Sequence, residues 1–253
     1  MPQVLGIQLY GYDIPTLASA IIGDIASGSA KENKLISATG AHGIVTAQKD
    51  AEFKNILSSF YCNIPDGMPS VWVGKMKGAK LMKRCAGPDF FRVLMTESAE
   101  KPITHFFCGG KLGVAEELKA AVGTEFHNYH VVGTFCPPFR DLTNEEVADL
   151  GNIIKNSGAD IVWIGLSSPK QEKFAFRLSK FTITNYIITV GAAFDFHTGK
   201  LSMAPRWMQQ SGLEWLYRLY MEPRRLFKRY FSIVPLFIYY NIKEFLKLKN
   251  SKL

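Results

Sequence analysis

"DIVWIGLSSPKQEKFAFRLS" occupies residues 160–179. The run "DIVWIGL" (160–166) is short, apolar and rich in β-branched side chains, which reads as a buried strand. The run "PKQEKFAFRLS" (169–179) reads as a helix, with Pro169 suited to its first turn and Ser167 and Ser168 placed to cap it. A strand that passes directly into a helix is half of a parallel crossover unit, so the fold depends on whether the unit repeats.

It does. "KLISAT" (34–39) reads as a strand and "GIVTAQKDAEFKNILSSF" (43–60) as one helix after it. "PDFFRVLMTESA" (88–99) is helical from Pro88. "THFFCGG" (104–110) is a strand and "KLGVAEELKAAV" (111–122) the next helix. "YHVVGTF" (129–135) is a strand, and "TNEEVADLGNIIKNSG" (143–158) a helix with a Thr143/Glu146 capping-box spacing and Gly158 at its end. "YIITVGAAF" (186–194) is the last strand. This alternation predicts an α/β fold, a mostly parallel sheet with helices on both faces.

Ligands of such sheets bind beyond the carboxyl ends of the strands. That rule selects Ser37 and Thr39, Gly109 and Gly110 with Lys111, Thr134, Pro169 and Gln171, and Asp195. "FFCGGKLGVAEE" (106–117) reads either as a phosphate-binding turn at a helix N-terminus or as a tight strand–helix turn. It is neither G-x-G-x-x-G nor a Walker A loop, so no dinucleotide or ATP cofactor is expected. In "NIPDGMPSVW" (63–72), Asp66 is a turn residue, or a carboxylate on a rigid loop suited to general-base work. Gln171 sits on a first helical turn, facing the cleft or solvent. Asp195 is placed to hold a sugar or ribose hydroxyl, whereas a lone histidine such as His197 is more often structural. No G-x-S-x-G appears, which disfavours a serine hydrolase. The nine aspartates form no D-x-D pair, so no metal is expected, and a leaving diphosphate would depend on backbone amides and Arg/Lys.

The chain has 253 residues and a formal charge of +8. Residues 201–253 hold ten Lys/Arg against three acids, a net +7, so the basic character belongs to the tail. There, "EPRRLFKRYFSIVPLFIYY" (222–240) sets Arg224, Arg225, Lys228 and Arg229 beside an apolar aromatic run. Spanning a bilayer needs roughly 20 apolar residues. The run from Tyr230 to Ile242 is shorter and contains Pro235, so a surface-lying segment is expected, with Phe231, Leu236 and Phe237 inserting into lipid. The bland alternative is a helix pair packed on the body with a solvated basic face. Nucleic acid is not expected as a partner, since no motif for it is present. Four scattered cysteines and no leader-like N-terminus point to a reducing cytosol.

In order, "HGIVTAQKDAEF", "PDG", "GPDFF", "FFCGG", "GTFCPPF", "GLSSPKQE", "GAAFDFHTGK…APRW", "GLEWLYRL" and "EPRR…KRY" resemble the WecG/TagA/CpsF glycosyltransferases, family 26, over about residues 34–230. The resemblance implies a Rossmann-like catalytic domain, here 1–203, and a C-terminal membrane-associating appendage, here 204–253. It implies an inverting, metal-independent transferase without cofactor. The donor would be a UDP-sugar, commonly UDP-N-acetylmannosamine or its uronic acid. The acceptor would be a polyprenyl-diphosphate-linked sugar, in cell-surface polysaccharide or teichoic-acid assembly. Asp66 falls on the family's proposed base, Gln171 on its cleft glutamine and Arg84 on an active-site arginine. Arg218, Arg225 and Lys228 fall on appendage cations, and Arg206, Arg224 and Arg229 extend that set toward the membrane or the acceptor diphosphate. Many relatives read Thr-x-Asn where this chain has Ser37-Ala38-Thr39, so donor recognition differs here. Another donor such as UDP-glucose or UDP-glucuronate, an epimerase, and a noncatalytic lipid-binding scaffold are the rival readings. The expected location is cytoplasmic, peripheral on the inner face of the cell membrane; a homo-oligomer is left open.

Overall fold

A computed structural model describes residues 1–250. A two-stranded antiparallel hairpin, β1 (Gln3–Val4) and β2 (Ile7–Gln8), leads into α1 (Ile14–Ala26). Then follow β3 (Lys34–Thr39), α2 (Ala41–Ala47), α3 (Ala51–Ser59), β4 (Cys62–Pro65), α4 (Met68–Met76), α5 (Gly87–Ser98), β5 (His105–Gly109), α6 (Val114–Phe126) and β6 (Val131–Phe135). The chain continues through α7 (Asn144–Ser157), β7 (Ile161–Gly165), α8 (Lys170–Leu178), β8 (Tyr186–Thr189), α9 (Ala193–His197), α10 (Arg206–Gln210), α11 (Glu214–Met221) and α12 (Pro223–Asn250). The last three residues, 251–253, with Lys252, lie outside the described residues.

The main sheet has six strands in the order β4-β3-β8-β7-β5-β6, and every pairing is parallel. Central strands β5, β7 and β8 are buried along their whole length, so their sequences are apolar without alternation. Neighbouring residues feed opposite faces. Ile36, Phe107, Trp163 and Ile188 pack under α1, α5 and α6, while Leu35, Phe106, Val162 and Ile187 pack under α3, α7 and α8. Steps toward β6 place their helices on the first face and steps toward β4 on the second, as right-handed crossovers require. This is the expected Rossmann-like α/β architecture.

Several local expectations change. Residues 43–60 form two helices, because Asp50 accepts from the Phe53 amide (2.9 Å) and starts α3 afresh. Pro69, which suits a first helical turn, starts α4 inside a stretch read as a turn. The last strand ends at Thr189, and Ala193–His197 is helical. Neither Ser167 nor Ser168 caps α8; Pro169 itself stands at the N-cap. The Thr143/Glu146 capping box is present in full.

Helix α12 runs through Pro235. Leu226, Arg229, Tyr230, Ile233, Phe237, Tyr240 and Asn241 turn inward, recurring at the helical repeat. Leu236 and Phe237 join the cluster of Ile44, Val45, Phe53 and Val71, so they are not lipid-facing as the sequence suggests. Their helical phase sets them against the body. Lys77 pairs with Glu244 and fixes the far end. Phe227, Phe231, Val234, Ile238, Tyr239, Ile242 and Leu246 remain exposed on the other side. No helix among the described residues is long and apolar enough to cross a membrane.

Candidate active site

Asp66 directly follows β4. Its amide donates to the Thr39 carbonyl (3.3 Å), which anchors the turn to β3. The Gly87 amide, opening α5, donates to Asp66 Oδ1 (2.9 Å). Gly87 must be glycine, since a Cβ would lie 2.5 Å from the Val190 carbonyl oxygen. Asp66 Oδ2 takes no hydrogen bond among the described residues and faces Gly40, where a Cβ would stand 3.7 Å away. One carboxylate oxygen is thus held and the other is free. The Asp66 charge also reaches Arg84, Glu214, Arg229 and Tyr230, favouring the protonated form of each.

Arg84 has both terminal nitrogens engaged, while its Nε is buried without a partner. Nη1 donates to Asp89 (2.8 Å) and Gln209 (3.3 Å), and Nη2 to Glu214 (2.5 Å). Burial opposes the cation, but Glu214, Asp66 and Asp89 outweigh it and hold its pKa above the ordinary value. Glu214 goes up as well: burial outweighs the help from Arg84.

Arg229 is the contrasting cation. It points inward from α12 and takes no side-chain hydrogen bond or ion pair among the described residues; its Nε is buried without a partner. Burial, with Arg218 and Arg225 nearby, pulls its pKa below the ordinary value. His42, at the start of α2, is pushed down to about 4 by burial and then by Arg229, so the pair carries one charge at neutral pH.

Beneath the cleft lies a buried polar chain. Thr39 Oγ1 donates to Ser37 Oγ (2.8 Å), and Ser37 Oγ donates to Glu172 Oε1 (3.1 Å). Gln171 Nε2 donates to the same oxygen (2.9 Å), and Gln171 Oε1 accepts from the Gly191 amide (3.0 Å). Gln171 is therefore a buried brace between α8 and the end of β8, not a solvated helix residue. Ser37 and Thr39 are likewise buried, their hydroxyl protons committed inward. Glu172 Oε2 has no partner, and no cation pairs with Glu172 among the described residues. Glu172, the next residue of "PKQE", is not among the residues that the strand-end rule selects. Its signal was a charged residue at a position one step inside an apolar helix face.

Burial raises the Glu172 pKa from its ordinary 4.5. A carboxylate whose folded-state pKa is raised costs no stability below the unfolded value, costs progressively more as pH rises from the unfolded value toward the folded one, and costs a constant amount above it. Glu172→Gln keeps an acceptor for Ser37 and Gln171 while removing the charge. The variant is expected to melt above the wild type at pH 7.5, by roughly 2–4 °C per kcal/mol relieved. The gap should close toward pH 4. A variant that melts below the wild type at both pH values contradicts the buried-charge account.

Of the other selected residues, Arg218 and Arg225 lie near Arg229, and the rest do not converge here. Gly109 and Gly110 answer packing needs: a Cβ would lie 2.5 Å from the Gly165 carbonyl oxygen in the first and 2.6 Å from Val114 in the second. Lys111 is exposed. Thr134, on the far edge strand β6 and five strand spacings from β4, or about 24 Å, donates to Glu116 of α6. Asp195 is half-buried on α9, and His197 Nε2 lies 3.0 Å from the Pro88 carbonyl oxygen, a packed histidine. Arg206, Arg224 and Lys228 are exposed. Arg225 forms a two-pronged pair with Glu222, and Arg218 lies over the Phe196 ring at 5.6 Å. Among the described residues no three His, Cys, Asp or Glu side chains gather as a metal site.

A parallel sheet with a turn-borne carboxylate, a buried amide brace and an inward-facing arginine at its carboxyl edge is a frame for glycosyl transfer. Comparison with known proteins gives the class of enzyme. The chain belongs to the WecG/TagA/CpsF family of glycosyl transferases, whose profile matches residues 2–251. It is similar to the N-acetylglucosaminyldiphosphoundecaprenol N-acetyl-beta-D-mannosaminyltransferase of Bacillus subtilis (strain 168), at 29% identity over 203 residues, covering 80% of this chain and 77% of that one.

Proposed function

We propose that the chain transfers N-acetylmannosamine, or its uronic acid, from a UDP-sugar to the sugar of a polyprenyl-diphosphate-linked acceptor, in cell-surface polysaccharide or teichoic-acid assembly. The relative's name supports the sugar and the acceptor. The observation that carries the chemistry is the pairing of a half-free carboxylate, Asp66, with a buried cation that lacks a counter-ion, Arg229. A buried unpaired charge costs several kcal/mol, which an arriving phosphate offsets.

The acceptor hydroxyl attacks C1 of the donor sugar, and Asp66 Oδ2 takes its proton. The bond from C1 to the phosphate oxygen breaks, its electron pair leaves with UDP, and configuration at C1 inverts. Arg229, with Arg218 beside it, meets the developing diphosphate charge without a metal. Residues 204–253 act as the appendage. The exposed aromatic face of α12 lies on the inner leaflet, which brings the cleft to an acceptor that cannot leave the bilayer.

The test is a panel of UDP-sugars offered to the full-length protein with undecaprenyl-diphosphate N-acetylglucosamine, products read by mass spectrometry. Transfer is expected from UDP-N-acetylmannosamine or its uronic acid. Turnover only with UDP-glucose or UDP-glucuronate would move the donor assignment, and failure to bind UDP would favour a scaffold. Rates should be unchanged in EDTA; loss with EDTA and recovery with Mg²⁺ would overturn the cation-only account.

A further inference from the structure

We propose that Arg84 and Glu214 form a latch that couples the seating of residues 206–221 to the placement of Asp66, which makes Glu214 a positioning residue for transfer. The proposal rests on Asp66 being the base. Its physical path is short. Gln209 on α10 and Glu214 at the start of α11 both accept from the Arg84 guanidinium. The same guanidinium donates to Asp89 in the first turn of α5. The first residue of that turn, Gly87, donates its amide to Asp66 Oδ1. Gln209 is itself tied down, since its Nε2 donates to the Ala204 carbonyl (2.8 Å). One planar fork therefore joins two appendage helices to the helix terminus that holds the base.

Burial gives the fork its leverage. The Arg84 side chain is 13% exposed and the Glu214 side chain 28%, so this is not a solvent-screened surface pair. Removing either member leaves the other's charge partly buried. The arrangement also bears on what Arg84 does. With Nη1 holding two acceptors and Nη2 a carboxylate, both terminal nitrogens of Arg84 are committed, and its Nε is buried without a partner. Arg229 makes no side-chain hydrogen bond or ion pair among the described residues.

Two models predict opposite signs for one variant. If Glu214 were a competitor that masks a phosphate-binding Arg84, Glu214→Gln would free the arginine and tighten donor binding. If the two are a latch, Glu214→Gln loses turnover as Arg84→Gln does. The experiment uses four full-length proteins: wild type, R84Q, E214Q and R84Q/E214Q. They are assayed with UDP-N-acetylmannosamine and a short-chain, water-soluble polyprenyl-diphosphate N-acetylglucosamine. Each single variant is expected to lose about tenfold to a hundredfold in kcat, and the double variant no more than the worse single. Donor KM should move less than about threefold, because the latch acts on the base. Multiplicative losses, or an E214Q enzyme with lower donor KM, would overturn the proposal. Hydrogen exchange of amides 206–221 supplies a readout that needs no substrate. Both single variants should accelerate exchange there to the same extent, and unchanged protection would also overturn it. If the activity assay fails for every protein while exchange responds as expected, the fault lies in the donor or acceptor assignment and not in the latch. Should the Gln variants melt below assay temperature, R84K and E214D, which keep both charges, carry the same non-additivity test.

Discussion

Asp66→Asn is expected to lower turnover by about 10²–10⁴-fold, the range for loss of a general base. The substitution is close to isosteric. Asn Oδ1 still accepts from the Gly87 amide, so the turn and the start of α5 keep their geometry. What changes is Oδ2, the oxygen without a partner: an amide nitrogen there cannot take the acceptor's proton. UDP affinity should persist, because in the proposed reaction the carboxylate acts on the acceptor while Arg229 and Arg218 face the diphosphate. Single-turnover rates with saturating donor, measured alongside UDP titration, separate these effects. Near-normal turnover in the Asn variant would remove Asp66 from the chemistry and leave it as a turn residue.

Replacing Arg224, Arg225 and Lys228 with Gln is expected to weaken binding to anionic vesicles by roughly thirty- to a hundredfold. Each cation near such a surface contributes about 1 kcal/mol, and tenfold is about 1.4 kcal/mol. Arg225 is discounted because Glu222 already neutralises it in part. Salt should weaken wild-type binding without abolishing it, since Phe227, Phe231, Ile238 and Ile242 still offer apolar surface. Arg229→Gln provides the contrast: it faces inward, so vesicle binding should hold while turnover falls. Co-sedimentation with vesicles of defined anionic content reads both. Equal vesicle binding by the triple variant and the wild type would leave the exposed basic face without a lipid role.

The sheet was legible because its central strands are buried on both faces and are therefore plain apolar runs between helix signals. The helix break at Asp50 was not, because a single capping carboxylate decides it inside an otherwise continuous pattern. Asp66 and Gln171 could be found as polar residues just past strand ends. Glu172 and Glu214 could not, because what distinguishes them is who their partners are: Ser37, 135 positions away, and Arg84, 130 positions away. The tail's charge was visible in composition, but which of its aromatics meet the body depends on helical phase. Phase also bears on truncation: a cut near Met203 would strip Leu236 and Phe237 from the cluster of Ile44, Val45 and Val71, and is expected to cost the α/β unit that packing.

Two neighbours on α12 carry opposite instructions. Arg229 turns inward and Phe231 turns outward, 74% exposed. At about 100° per residue the two side chains leave the helix on nearly opposite sides. If α12 lies on lipid as proposed, a rigid rod between lipid and cleft would work as a gauge, setting the altitude of Asp66 above the headgroups. An acceptor hydroxyl would then be reached only if its own stalk, diphosphate plus sugar, rises to that height. Selection among lipid-linked glycans would then begin with length, before any sugar is recognised by its shape.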